Sequence, residues 1–476
     1  MSRVVESRVA DKMFYYFEEI AKIPHGSENE KEIADYIVAF AKERGLACYR
    51  DEANNVLICK NGTEGRENEP PLALQGHTDM VCEKNPDVEH CFETDPLKLV
   101  VENGYLRASG TTLGADDGVA VAIMLAILDG EAESHPPLEC LFTSGEEIGM
   151  IGAGQFDFSK LTAKRLINID SECEAVVTAG CAGGIRSEIS LAGEKTVNEG
   201  SCVTLTLSGL HGGHSGVDIA LGRANANRLM ARILLRFSED ASFRLVHISG
   251  GSKDNAIPRD CEATFAIADV ADAREKVAAV CDEIASELSA EDKNFTFAVK
   301  ETVAACAFDH DFSRRFVALM NYCDNGVYAM STDIAELVEW SGNMGVAETD
   351  EKGGHLVFLT RSSMESRIDE SIARIDGLAH LLGGTANHHS RYPGWRYCPV
   401  SPLRDKYIEV CKRLHGLDVI TTVIHAGLEC GLIYKKCPEM DLISIGPDIE
   451  DIHSPAERIG IAGAEHFWLT VLEMLK

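Results

Sequence analysis

Two imidazoles and three carboxylates stand out for where they fall in the chain: His77, Asp116, Glu147, Asp170 and His453. Each follows an apolar run or opens a helix, as in Leu72-Ala73-Leu74-Gln75-Gly76-His77-Thr78-Asp79, and so belongs at a strand end or a helix start. One His two residues before an acid reads as a solvated strand end, and the pair Asp116-Asp117 ahead of a helix reads as a complement to its dipole. Five such positions in order, each of a metal-ligand type, read differently. Mixed imidazole and carboxylate donors suit zinc and similar divalent ions, and a carboxylate shared between two ions lets five side chains hold both. Two neighbouring ions acidify the water between them and polarise a carbonyl, and a free carboxylate beside them takes the proton. Glu146, next to Glu147, is the candidate for that base.

The elements that must position these residues are written upstream of each. Runs at 72–75, 138–142 and 166–169 read as buried strands, and 119–128 as an apolar helix closed by Asp129-Gly130. Helices are expected near 10–21 and from a capping box at Ser27-Glu28-Asn29-Glu30 to about Arg44, with strands at 47–50 and 56–59. Strands alternating with helices predict an α/β layer with a mostly parallel sheet, in which ligands bind beyond the carboxyl ends of the strands. These acids lie there. From about Gly183 the character becomes α+β: strand-like 203–207, the loop Gly209 to Gly216, a helix near 220–236, strands at 244–248 and 263–267, and a helix at 365–382. Two strand-and-helix sets suggest an internal duplication, but no period is legible. The turn-rich 387–395 reads as a crossing between units. A helix from Ser401-Pro402 to His415-Gly416 and strands at 419–424 and 442–445 then return to the first pattern. The expected organisation is a catalytic domain in two parts, 1–183 and 394–476, split by an inserted domain at 184–393.

Composition narrows the function. At 476 residues the chain should hold two or three units of ~100–200 residues each. With 45 Lys and Arg against 76 Asp and Glu, the net charge of −31 repels nucleic acid and anionic membranes. The opening residues carry no signal-type apolar core, and the longest apolar run, 119–128, falls short of the ~20 residues that span a bilayer. A soluble cytoplasmic protein is expected. Its 16 Cys include no Cys-x-x-Cys pair, so they read as reduced thiols rather than a zinc knuckle or redox motif.

Taken in order, several motifs make the chain resemble, over essentially its whole length, the co-catalytic zinc exopeptidases that include aminoacylases and carnosine-type Xaa-His dipeptidases. They are Gly76-His77-Thr78-Asp79-Met80-Val81, Gly114-Ala115-Asp116-Asp117-Gly118, Ser144-Gly145-Glu146-Glu147-Ile148-Gly149, Ile169-Asp170-Ser171-Glu172 and Ile452-His453-Ser454-Pro455. The resemblance implies a three-layer catalytic domain with an inserted α+β lid, and two divalent ions per chain: zinc first, cobalt or manganese as alternatives. It implies that Asp116 bridges both ions, with His77 and Asp170 on one and Glu147 and His453 on the other. Asp79 would orient His77, fixing its tautomer, and Asp117 would support the turn. In the lid, His214 would hold the developing oxyanion and Asn255 would face the substrate. Arg361 would bind the substrate's C-terminal carboxylate, a task suited to a planar guanidinium, and Gly427-Leu428-Glu429 would line the cleft and contact the substrate amino terminus. The implied substrates are small dipeptides, Xaa-His and β-alanyl-histidine among them. The alternative is an N-acyl-amino-acid deacylase or metallo-carboxypeptidase using the same centre. Some relatives borrow the lid His from a second subunit while enlarged lids supply it within one chain, so a homodimer and a self-sufficient chain both stay open.

Overall fold

Leu72–His77 is a strand buried along its whole length in the computed structural model, which describes residues 3–476. It pairs in parallel with Leu138–Thr143 on one side and Arg165–Asn168 on the other, and Asp441–Ser444 extends the parallel set. The full order of this eight-stranded sheet is Ala47–Arg50, Val56–Lys60, Leu138–Thr143, Leu72–His77, Arg165–Asn168, Asp441–Ser444, Val176–Cys181, Ile420–Ile424. Outside the four central strands the pairing turns antiparallel, at Val56–Lys60 against Leu138–Thr143 and at Val176–Cys181 against Asp441–Ser444. The sheet is mixed rather than mostly parallel. A local cause is visible at one flank: Asp51 Oδ1 accepts the N–H groups of Ala53 and Asn55 and closes a hairpin, which adds strands only antiparallel.

Strand alternation sorts the central strands into two faces. Leu72, Leu74, Leu138, Cys140, Phe142, Ile167 and Ile443 join one apolar core with residues of helices Asp11–Ile20, Lys31–Glu43, Ala115–Ala126, Pro402–His415 and Ile461–Leu475. Asp11–Ile20 contributes Met13, Phe14, Phe17 and Ile20, a stripe at helical spacing. Pro402–His415 starts at Ser401, whose Oγ accepts the Arg404 N–H, and stops at Gly416 with φ +69°. On the other face the central row is polar: Gln75, Thr143 and Asn168 are buried there, and Glu429, the first residue of helix Glu429–Lys436, hydrogen-bonds to this row. The capping box expected at Ser27 does not form. Lys31–Glu43 begins after Glu30 with no side-chain cap, and Ser27 Oγ donates instead to Asp79 Oδ2 at 2.8 Å.

The chain divides into two units: the first runs to Cys181 and includes Trp395–Val423 and Leu428–Lys476, and the second comprises Ala182–Gly394 and Ile424–Gly427. The second unit is built on a nine-stranded antiparallel sheet, eight strands of which are two copies of one design, with Gly326–Met330 added against Val338–Thr349. Strand, helix, strand, strand, helix, strand run through Cys202–Ser208, Ala226–Leu235, Arg244–Gly250, Cys261–Ala266, Val270–Glu287 and Thr296–Thr302. The same succession runs through Gly183–Ala192, His310–Tyr322, Val338–Thr349, Gly353–Ser362, Glu365–Leu381 and Thr385–Tyr392. Both copies place their first and third strands in the middle and their second and fourth outside, and they join second strand to second strand at Ser249↔Glu348 and Gly250↔Ala347. The stretch 387–392, expected as a crossing, is mostly an edge strand, because pairing with Gly183–Ala192 overrides its turn-forming residues.

Candidate metal centre

His77 is the last residue of its strand and is 1% exposed. Its Nδ1 lies 2.9 Å from the Asp79 backbone carbonyl, which fixes the proton there and leaves Nε2 to face Asp116 Oδ1 at 3.1 Å and Asp170 Oδ1 at 3.6 Å. The Asp79 carboxylate, meanwhile, holds the turn carrying the other acids: it accepts the N–H of Glu146 at 3.0 Å and of Glu147 at 3.3 Å. Asp117 Oδ2 accepts the His77 N–H at 3.0 Å, and a Cβ at Gly76 would come within 2.4 Å of that same oxygen. Glycine is required at 76 for the carboxylate to reach the strand.

Asp116 stands just inside Ala115–Ala126. Its second oxygen, Oδ2, is 3.2 Å from His453 Nε2, which is 3.0 Å from Glu147 Oε1. Two groups of three thus share Asp116: His77, Asp116 and Asp170, and Asp116, Glu147 and His453, with the ligand atoms of each inside 4.8 Å of one another. Donors around one tetrahedral ion, each at ~2.1 Å, lie about 3.4 Å apart. The measured 3.0–3.6 Å separations fit that spacing, and imidazole with carboxylate is the donor set of a divalent-metal site. This is a dinuclear metal-binding site. Without ions the acids act on the imidazoles: Asp116 and Glu147 push His453 up to about 10. Burial pushes Glu146 well above the ordinary carboxylate range, and Asp170, Glu429 and Glu147 add to it.

The second unit gathers a cluster of the opposite kind. Arg361, 5% exposed, donates through Nη1 to the Tyr392 hydroxyl at 2.6 Å, and its buried Nε has no partner. Its Nη2 lies 3.4 Å from His214 Nε2. His214 Nδ1 accepts the N–H groups of Gly216 and Val217, each at 3.2 Å, so the ring proton sits on Nε2. Two donors therefore face each other. No carboxylate pairs with Arg361 among the described residues. His425 lies in the same unit with Nε2 2.7 Å from Ser341 Oγ, and burial, then Arg361 and His214, push it down to about 3. Asn255 is tied to this loop by its backbone, accepting the Ser215 N–H at 2.8 Å, while its side chain is exposed. Gly427 belongs to the same unit, two residues beyond His425, and no described hydrogen bond links it to Arg361 or His214.

Comparison with known proteins bears on both clusters. The sequence pattern of the Peptidase dimerisation domain matches residues 205–296, which lie within the first copy of the second unit's design. Cytosol non-specific dipeptidase of Escherichia coli (strain K12) is 40% identical over 468 residues, 97% of this chain and 96% of that protein. The crystal structure of aminoacylhistidine dipeptidase from Vibrio alginolyticus superposes with a TM-score of 0.93 at 36% identity, covering 99% of this chain and 98% of that one. The chain belongs to the M20 family of peptidases, among its aminoacylhistidine and non-specific dipeptidases. The fold extends to an M20 family metallo-carboxypeptidase from Sulfolobus solfataricus, at a TM-score of 0.56 and 16% identity.

Around this family site stand residues whose contacts the sequence did not disclose, among them Glu429, which was expected to line the cleft. The Glu457 carboxylate, 2% exposed, accepts the N–H groups of Leu113 at 2.7 Å, Gly114 at 3.1 Å, Ala115 at 2.8 Å and Asp116 at 3.4 Å, and so pins the loop that presents Asp116. Its one sequence signal was position, four residues after His453. Glu429 is fully buried behind the ligand strands, and burial pushes it up to about 7. His425 had no signal beyond its residue type.

Proposed function

We propose that the chain is a dinuclear metal-dependent dipeptidase that cleaves Xaa-His and related dipeptides, β-alanyl-histidine among them. The observation that carries this reading is Asp116, with one oxygen toward His77 and the other toward His453. In this reading zinc is the resident metal, with cobalt or manganese as alternatives; His77, Asp116 and Asp170 hold one ion, and Asp116, Glu147 and His453 the other. When bound, such ions polarise the scissile carbonyl and make water acidic enough to attack near neutral pH. The chain's own part is proton handling and orientation. Glu146 takes the proton of the attacking water and delivers it to the leaving amine, a role suited to a carboxylate whose proton affinity burial has raised. Asp79 keeps that base in place through the Glu146 N–H.

Arg361 takes the substrate's C-terminal carboxylate and His214 the developing oxyanion, with Asn255 and Gly427 as further substrate contacts. Support for these roles is the convergence of donors at Arg361 and His214, which suits them to anionic oxygens of the substrate. Residues 1–183 and 394–476 then act as a three-layer catalytic domain and 184–393 as its lid. The enzyme works in the cytoplasm, as the name of its E. coli relative has it. The second copy already pairs with the sheet edge at Arg244–Gly250, which supports a lid completed within one chain; a homodimer would then use another surface.

The test is a dipeptide panel offered to the metal-reconstituted protein, each member with and without N-acetylation. Free dipeptides should turn over, while tripeptides and N-acetylated dipeptides should be poor. Preference for the acetylated forms would transfer the assignment to a deacylase, and full turnover with one ion per chain would remove the dinuclear reading.

A further inference from the structure

Behind the ligands lies a chain of four fully buried polar side chains. Asn168 Nδ2 donates to Gln75 Oε1 at 2.8 Å, and Gln75 Nε2 donates to Glu429 Oε2 at 2.6 Å. Thr143 Oγ1 lies 2.7 Å from that same Glu429 oxygen. The other oxygen, Oε1, has no partner. Gln75 and Thr143 bond Glu429 directly and Asn168 reaches it only through Gln75, and each stands on a central strand just upstream of proposed ligands: Gln75 two residues before His77, Thr143 ahead of Glu146 and Glu147, Asn168 two before Asp170. Glu429 is the acceptor at the end of this chain, shared by two strands directly and joined to the third through Gln75.

A carboxylate is a costly choice for that task. A fully buried acid with an unpartnered oxygen works against the fold, and a neutral acceptor of the same shape could receive both hydrogen bonds. The charge must gain its return elsewhere. Three carboxylates among the proposed ligands, Asp116, Glu147 and Asp170, carry −3 against the +4 of two divalent ions, so the ligand set alone does not neutralise them and acids beyond it share that task. Glu429 is the buried acid behind them, near enough that its charge is felt at Glu146.

We infer that Glu429 is a positioning residue for the metal centre, holding the three ligand-bearing strand ends through Gln75, Thr143 and Asn168 and offsetting the ions' charge from behind, at the expense of the metal-free fold. The inference rests on the dinuclear reading above. Glu429→Gln keeps the shape and an acceptor for both hydrogen bonds while removing the charge. Two quantities decide the matter: Zn2+ affinity by chelator competition, backed by the visible spectrum of the Co2+ form, and the thermal midpoint of the metal-free protein. The variant should bind Zn2+ ~10–100-fold more weakly, the usual effect of removing a partner behind a ligand, with a shifted Co2+ spectrum. Its metal-free midpoint should match or exceed that of wild type. Affinity within twofold of wild type, or a metal-free midpoint that falls, overturns the inference and leaves Glu429 a structural residue. Wild-type protein that takes up only one ion would instead overturn the dinuclear reading, so the two failures are distinguishable.

Discussion

The polar cluster of the first unit and that of the second are incomplete in opposite senses. Around Asp116 acceptors crowd together: Asp79, Asp116, Glu146, Glu147, Asp170 and the buried Glu429 outnumber the two imidazoles that could neutralise them. Around Arg361 the excess is of donors: a buried guanidinium and the Nε2–H of His214 face one another, and burial keeps the nearby His425 neutral. Proteins bury like charges together only where a counter-charge arrives from outside. The first cluster is therefore suited to cations, and the buried guanidinium with no carboxylate partner among the described residues is what motivates the anion-binding role proposed for Arg361.

Breaking the cationic half should have the largest effect. Asp116→Asn removes the carboxylate shared by both groups, so metal content should drop for both ions and kcat/KM should fall by at least ~10³-fold; elemental analysis with kinetics checks both, and retention of two ions would show that Asp116 does not bridge. Next comes Glu146→Gln, which leaves the ligands alone. Metal content should hold while kcat falls by ~10²–10⁴-fold, and an unchanged kcat would assign proton transfer to another group. The anionic half is probed by Arg361→Ala, expected to lower kcat/KM for free dipeptides by ~10–100-fold, the worth of a charge-assisted hydrogen bond, and to abolish discrimination between the acid and its C-terminal amide. Wild-type protein that cleaves the amide equally well would dismiss Arg361 as the carboxylate anchor.

The smallest effect concerns pH. His425 is held down to about 3, below its unfolded value of ~6.5, so its neutral form contributes stability that is present above ~6.5 and lost as pH falls toward the folded value. Between pH 6.5 and 5 the wild type should lose about 2 kcal/mol more than His425→Asn does, at ~1.4 kcal/mol per pH unit. Denaturant unfolding of both proteins at the two pH values measures it, and parallel losses would show that His425 is not a source of the pH dependence.

Legibility in the sequence followed the range of the interactions involved. His77, Asp116, Glu147, Asp170 and His453 were readable because each is announced locally, by an apolar run or a helix start, and the structure brings these side chains together. Ser27 misled for the same local reason: S-x-x-E is a cap signal, but the helix begins after Glu30, and only the fold reveals Asp79 as the partner of the Ser27 hydroxyl. Glu457 binds four N–H groups more than 340 residues upstream, and nothing in its neighbourhood could disclose that. The parallel centre of the sheet was legible in its apolar runs, but the antiparallel flanks depend on which strands a hairpin brings in. The duplication in the second unit was suggested by its two strand-and-helix sets but had no legible period, because the first strand of one copy, Gly183–Ala192, precedes the whole of the other copy.

That nesting sets the order in which a ribosome can deliver a working molecule. Asp441–Ser444 must slot between Arg165–Asn168 and Val176–Cys181, strands made far earlier, and His453 follows it. At ~5–20 residues per second, roughly 15–60 s separate the emergence of Asp170 from that of His453. The nascent chain therefore carries an exposed, half-finished sheet for that time, a period in which chaperones have reason to attend it. It also holds only part of its metal ligands, so a growing peptidase stays inert beside the other new polypeptides around it.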